Sequence, residues 1–318
     1  MIAGLEPIAS FLPGAATLVL DGGLATELEK AGFDLDHPLW SARLLHEAPE
    51  RIATVHRAYL EAGADCITTA SYQASVPGFQ RTGRSETEAR ELLRRSFILA
   101  RDARDAFWSD PGNRVARIRP LVAASLGPYG AYLANGAEYT GDYDLDEDGL
   151  LAFHRERYLL LADTGAELFA CETIPSAAEA RALLRLLPER PAVRAWLSFS
   201  CRDGERLHDG TRLSEVARLA GGHPQVVGVG VNCVAPEHVE ALLREAARET
   251  PKPLVAYPNS GERYDAVGRR WLGSADAGDW GERARLWRRA GARLIGGCCR
   301  TGPDHVRAVR AALLTAHT

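Results

Sequence analysis

At 318 residues, with 46% apolar and 25% charged side chains, the chain can bury a substantial core as one large domain or two ordinary ones. A net charge of −4 excludes a nucleic-acid partner held by bulk electrostatics, and no run approaches the roughly 18 apolar residues that a membrane-spanning helix needs. The start, "MIAGLEPIASFLPG", lacks the pattern of a signal peptide, so a cytoplasmic protein is expected, in which six cysteines speak for metal binding or catalysis rather than disulfides.

The first apolar run, "ATLVLDGG" at 16–23, predicts a strand ending in Asp21-Gly22-Gly23. Taken alone, D-G-G is a turn leading into a helix N-cap. "SARLLHEAPERIATVHRAYLEAG" follows with helical spacing, and "DCITTAS" at 65–71 predicts the second strand. After the helical "ETEARELLRRSFILARDARDAF" comes "PLVAASLG" at 120–127, then the long polar connection "GPYGAYLANGAEYTGDYDLDEDG". "AELFACET" at 166–173 and "VRAWLSFS" at 193–200 flank the helical "AAEARALLRLL"; the loop "CRDGERLHDGTRL" comes next. "VVGVGVNC" at 226–233 precedes "PEHVEALLREAARE". "PLVAYPN" at 253–259 opens a third long connection, "YPNSGERYDAVGRRWLGSADAGDW", and "RLIGGCC" at 293–299 precedes the last helix, "DHVRAVRAALLTA".

Apolar strands alternating with amphipathic helices indicate a parallel sheet covered by helices. Three junctions, "EAGADCITTA", "DTGAELFACET" and "RAGARLIGGCC", echo each other: a helix end, a glycine suited to the left-handed cap, then a strand. Eight such units predict a single-domain (β/α)8 TIM barrel over residues 1–318, with its active site at the C-terminal ends of the strands. A doubly wound open sheet is the alternative, but no G-x-G-x-x-G follows the first strand. The long connections after strands three, five and seven would share one rim, where long loops are usually functional.

The sixth strand ends in Asn232-Cys233 and the eighth in Cys298-Cys299. Strict alternation would point Cys298 and Cys299 to opposite faces, but Gly296 and Gly297 permit the chain to leave β geometry there. Three thiolates converging at about 2.3 Å on Zn²⁺ would fill three corners of a tetrahedron and leave the fourth open. Cys66, Cys171 and Cys201 are expected as core filler. Zinc hydrolases on barrels need imidazoles and carboxylates. None of the nine histidines lies in or just after a predicted strand, and His56 and His154 are expected at the surface or behind a site. Three thiolates make zinc a poor activator of water, yet able to hold an incoming thiol and lower its pKa. Such a centre suits attack by sulfur on an electrophilic carbon.

From near residue 18 to about 312 the chain resembles the homocysteine S-methyltransferases. "DGGLATELEKAG", "GVNC" and "LIGGCCR" look like that family's homocysteine- and zinc-binding motifs. "LWSARLL", "TASYQAS", "SLGPYGAYLANGAEYTGDY", "ACETIPS" and "AYPNSGERYDA" are similar to the branch that uses S-methylmethionine. The resemblance implies a zinc-dependent barrel in which Cys233, Cys298 and Cys299 hold Zn²⁺ and acidify the thiol of homocysteine. A sulfonium donor, S-methylmethionine with S-adenosylmethionine as a further candidate, would supply the methyl group and methionine would form.

In that context Asp21 would bind the amino group of homocysteine, with Gly22 and Gly23 letting backbone N–H groups reach its carboxylate. Glu172, otherwise as readily a cap or an ion-pair member, would be a second partner for the amino group. Aromatic faces should meet the donor's cationic head, and Trp40, Tyr72, Tyr129 and Tyr132 are the candidates. Trp40 and Tyr72 resemble positions where betaine-using relatives hold a quaternary ammonium. Asn259 resembles a rim asparagine near the metal, with turn formation as its other reading. A structural zinc on a binding scaffold, betaine as donor and selenocysteine as acceptor remain open, as does the oligomeric state.

Overall fold

The computed structural model describes residues 4–14, 16–265, 270–272 and 278–314. Eight strands run parallel in one sheet: β1 (Leu18–Val19), β2 (Cys66–Thr68), β3 (Leu121–Leu126), β4 (Leu168–Ile174), β5 (Arg194–Phe199), β6 (Val226–Asn232), β7 (Leu254–Tyr257) and β8 (Ala292–Ile295). Their order is β1-β8-β7-β6-β5-β4-β3-β2, and a parallel bridge between Leu20 and Cys66 joins β1 to β2. The result is a closed (β/α)8 TIM barrel. Each strand falls within a residue of the apolar run that predicted it.

The three echoing junctions are as expected, because Gly63, Gly165 and Gly291 take φ of +109°, +89° and +109°. Only glycine does so without steric cost, and each ends a helix before the next strand. The longest helix, Glu86–Ser109, starts at a reciprocal cap. Ser85 Oγ accepts the Glu88 N–H, and the Glu88 carboxylate accepts the Ser85 N–H.

The core has two shells. The outer one packs strand residues such as Phe169, Leu197 and Val229 against helix residues such as Tyr59, Leu183 and Leu243. The inner one fills the barrel with Leu18, Ala123, Leu168, Trp196, Val255, Tyr257 and Leu294, and continues into Leu5, Ile8, Phe11 and Leu12. That N-terminal stretch, unassigned in the sequence reading, stoppers the mouth where the strands begin. Arg293 fastens it, donating to the carbonyls of Leu12 (3.0 Å), Gly14 (2.9 Å) and Ala16 (2.8 Å).

All three long connections lie at the opposite mouth. The one after β7 contains an antiparallel ribbon, Arg263–Asp265 with Arg270–Leu272; positions 266–269 and 273–277 of that predicted loop lie outside the described residues. Among the described residues no helix is long and apolar enough to cross a membrane.

Candidate metal and substrate site

The sulfurs of Cys233, Cys298 and Cys299 all lie within 4.8 Å of one another. Cys233 Sγ is 3.7 Å from Cys299 Sγ; sulfurs at two corners of a tetrahedron with 2.3 Å metal–sulfur bonds are about 3.8 Å apart. Two backbone features make this possible. After β6 the chain turns at Cys233, whose φ is +51°, a conformation that costs a non-glycine residue of order 1–3 kcal/mol. After β8 the chain leaves the sheet and is stitched to its neighbours: Gly297 N–H donates to Asp21 O (2.9 Å), Cys298 N–H to Pro258 O (2.8 Å), and Ser260 N–H to Cys299 O (3.1 Å). Gly297 serves by close approach rather than by unusual φ, since a Cβ there would lie 2.2 Å from Thr301 Oγ1. The left-handed bend comes one residue past the pair, at Arg300 with φ +65°.

A second layer touches the sulfurs. The Tyr139 hydroxyl lies 3.8 Å from Cys233 Sγ, and Asn232 Nδ2 donates toward Cys298 Sγ at 3.8 Å. Asn232 is itself locked, accepting the Thr173 N–H (2.7 Å) and donating to Thr173 Oγ1 (2.8 Å). Hydrogen bonds from the Cys298 and Cys299 thiols hold the Cys233 thiol well below its ordinary pKa. Cys66, Cys171 and Cys201 are buried elsewhere in the core as expected, and burial pushes the Cys171 thiol up to about 12.

The sulfurs open onto a cavity of about 520 Å³, within the size range of small-molecule sites. Six carboxylates line it, those of Asp21, Glu29, Asp34, Asp36, Glu138 and Glu172, and among its described lining residues there is no Lys or Arg. Asp21 does not cap a helix. Gly23 is the N-cap of the helix Leu24–Lys30, while Asp21 Oδ2 accepts the Thr68 N–H (2.7 Å) and the Thr68 hydroxyl (3.1 Å) from β2. Glu172 takes the Ser125 hydroxyl on Oε1 and the Tyr257 hydroxyl on Oε2 (3.0 Å). Burial pushes Asp21 up to about 8, with the Glu172 charge adding to the rise. It pushes Glu172 up to about 7, with the Cys298 charge adding. Two buried carboxylates, the charge of Glu172 raising the pKa of Asp21, that face no cationic side chain across the cavity are suited to receive a cation.

Gly22 and Gly23 line the cavity beside Asp21. Their expected use of backbone N–H groups is corrected at Gly23, whose N–H is engaged by Thr301 O at 3.2 Å.

Trp40 and Tyr72 line the cavity, with ring centroids 6.1 Å apart at 65°. Tyr129 and Tyr132 do not. Their rings pack against Phe153, Tyr129 edge-on and Tyr132 tilted, with centroids at 4.9 and 5.1 Å, and the Arg81 guanidinium lies 4.2 Å over Tyr132. The short helix Tyr129–Leu133 turns them toward the helix Glu147–Ala162, and the later Tyr139 reaches the sulfurs instead. Asn259 takes the turn-forming of its two readings. It does not line the cavity, and its Oδ1 accepts the Gly261 N–H (3.0 Å), closing a turn. His56 and His154 are fully buried rather than superficial. His154 Nε2 lies 2.7 Å from Glu179 Oε1, which also accepts the Tyr129 N–H (2.6 Å).

A sequence model described as homocysteine S-methyltransferase matches residues 18–313. The homocysteine S-methyltransferase YbgG of Bacillus subtilis is 48% identical over 307 residues, covering 96% of this chain and 98% of its own. A selenocysteine Se-methyltransferase of Brassica oleracea is 44% identical, covering 93% and 89%. The metallated crystal form of the homocysteine methyltransferase MmuM from Escherichia coli superposes with a TM-score of 0.85 at 45% identity, covering 96% and 99%.

Proposed function

Because the chain belongs to the homocysteine S-methyltransferase family, and is thus a methyltransferase acting on homocysteine, we propose that its donor is S-methylmethionine and its metal zinc, held by Cys233, Cys298 and Cys299. One observation carries this reading: three sulfurs, spaced for a tetrahedral ion, share a cavity with two buried carboxylates and no cationic side chain. A soft, all-sulfur donor set favours zinc over the oxygen-seeking divalent ions, and the metal relative supports a metal here. When bound, zinc supplies acidification of the homocysteine thiol, whose free pKa is about 8.5.

The chain's own residues do the rest. Asp21 and Glu172 clamp the ammonium of homocysteine and so aim its sulfur at the metal corner. Tyr139 and Asn232 hydrogen-bond to the ligand sulfurs and disperse their charge. Trp40 and Tyr72 offer ring faces to the donor's sulfonium. The homocysteine thiolate attacks the donor methyl carbon in line. A new C–S bond forms, and the old one breaks with its electron pair going to the leaving sulfur. The thiol proton passes to solvent, and two molecules of methionine result. Alignment of the three reacting atoms is the main source of rate. Six free cysteines agree with a cytoplasmic setting.

The test is a donor panel with homocysteine, comparing S-methylmethionine, S-adenosylmethionine and betaine, with and without a zinc chelator. S-methylmethionine should give the highest kcat/KM, and chelation should abolish turnover until zinc is restored. Chelator-resistant turnover, or betaine as the preferred donor, would overturn the reading.

A further inference from the structure

The proposed chemistry uses two of the six cavity carboxylates. Of the others, Glu29 faces Arg300 (3.4 Å) and Asp34 and Asp36 lie at the exposed edge. Glu138 is different. It sits on the single turn Ala137–Tyr139, directly before the tyrosine whose hydroxyl reaches Cys233. That turn is packed tightly, for a Cβ on Gly130 would lie 2.3 Å from Glu138 N. One carboxylate oxygen, Oε2, is buried with no hydrogen-bond partner. Glu138 lines the cavity together with Tyr72, Tyr139 and Cys233, and its charge acts on all three. Asp21 and Glu172, by contrast, are hydrogen-bonded to β2, β3 and β7. A buried carboxylate with one oxygen left without a partner is costly as an anion unless a cation comes to it.

We propose that Glu138 is the counter-charge for the sulfonium of the methyl donor and makes the site choose a cationic donor over its neutral thioether product. The inference rests on the sulfonium-donor reading above. A sulfonium donates no hydrogen bond, so it needs a nearby charge rather than an aligned acceptor, and the unpartnered Oε2 offers that. As the methyl group moves, the electron pair of the breaking C–S bond neutralises the leaving sulfur, and the attraction to Glu138 fades. The pairing is therefore strongest in the bound ground state. It acts on donor capture and product release more than on the barrier, which makes Glu138 a specificity-determining residue.

The experiment uses the zinc-loaded full chain and trimethylsulfonium, a probe with the sulfonium but neither ammonium nor carboxylate. Titration calorimetry without homocysteine should show wild type binding trimethylsulfonium at least about tenfold more tightly than dimethyl sulfide. Glu138→Gln should lose that preference and raise the S-methylmethionine KM about tenfold, with kcat unchanged or slightly raised and with homocysteine KM and zinc content unchanged. Glu138→Asp, which keeps the charge, should retain most of the preference. Unchanged trimethylsulfonium binding in Glu138→Gln would overturn the proposal, because an effect on the donor alone would then reflect its ammonium. Equal losses in Glu138→Gln and Glu138→Asp would overturn it as well, by marking a structural role. Should Glu138→Gln fail to fold, equal wild-type affinities for trimethylsulfonium and dimethyl sulfide would still do so. A wild type that binds trimethylsulfonium yet cannot use S-methylmethionine would sink the donor reading and leave Glu138 as a sulfonium ligand.

Discussion

Asp21 lies just past β1 with its carboxylate turned sideways onto Thr68, buried, and with its pKa raised further by the charge of a second carboxylate. A folded-state pKa of about 8, against 3.8 for the free side chain, means the folded chain keeps a proton the unfolded chain has lost across that window. Stability of the ligand-free protein should therefore fall as pH rises from about 4 to 8. An ammonium bound there draws the pKa down, so binding should release protons and tighten with pH up to about 8. Methionine, which has no thiol to confuse the count, is the probe. Calorimetry at pH 7 in buffers of different ionisation enthalpy should show net proton release that shrinks in Asp21→Asn. The same variant should raise homocysteine KM by about tenfold or more, the scale of a lost charge-assisted hydrogen bond, and move donor KM far less. Equal effects on both substrates would make Asp21 structural. Cys299→Ala should lose metal and turnover while keeping its far-ultraviolet circular dichroism; full activity without metal would refute the centre. Asp21, Glu172 and the three cysteines were legible because each lies at the end of an apolar run, so strand position fixes its place. Glu138 and Tyr139 were not, Tyr129 and Tyr132 were misplaced, and Asn259 settled into the turn that was its other reading. Loop residues point wherever local turns send them, and periodicity carries no record of those turns.

At the level of elements, the site depends on how the loop after β1 meets the loop after β8. Tyr59, buried on the helix Pro49–Ala62, spans the two by donating toward Gly23 O (3.0 Å) and Thr301 O (3.2 Å). Thr26 Oγ1 accepts the Arg300 N–H at 2.8 Å, adding a second tie. The aspartate that would hold the ammonium and the cysteines that would hold the metal are thus kept in register partly by a residue that touches neither, beside the direct bond from Gly297 N–H to Asp21 O. Tyr59→Phe keeps the packing and removes the tie. A loss of about 1 kcal/mol is expected, because Gly23 O also accepts from Glu27 N–H and Thr301 O from Gly23 N–H. Homocysteine KM should rise severalfold while zinc content stays whole. An unchanged KM alongside the lost stability would show that the two loops hold their register without Tyr59. The strands were readable from apolar runs and the helix ends from glycines that must take positive φ. The pairing of the two loops was not readable, because it comes from barrel closure, which brings the first and last strands together across the whole chain.

The whole molecule separates its two mouths. Where the strands end, the cavity gathers charges and sulfurs, and four non-glycine residues lining it, Trp40, Ala134, Thr173 and Cys233, are held at positive φ. Where they begin, Leu5, Ile8, Phe11 and Leu12 complete the inner core with no polar group of the site among them. Function and stability therefore sit at opposite ends of one sheet, as barrel architecture permits. Phe11 is 6% exposed and belongs to that inner cluster. Phe11→Ala should cost roughly 3–5 kcal/mol through lost burial and the cavity left behind, read as a lower urea midpoint with the slope unchanged. Because the stopper lies on the far side of the Trp196–Tyr257 layer from the sulfurs, kcat/KM per folded molecule should stay within about twofold at a temperature where the variant is folded. A matching fall in kcat/KM would mean that the layer transmits strain. The hydroxyl of Tyr257 would be the route, since it holds Glu172 on one side and accepts from Trp196 on the other.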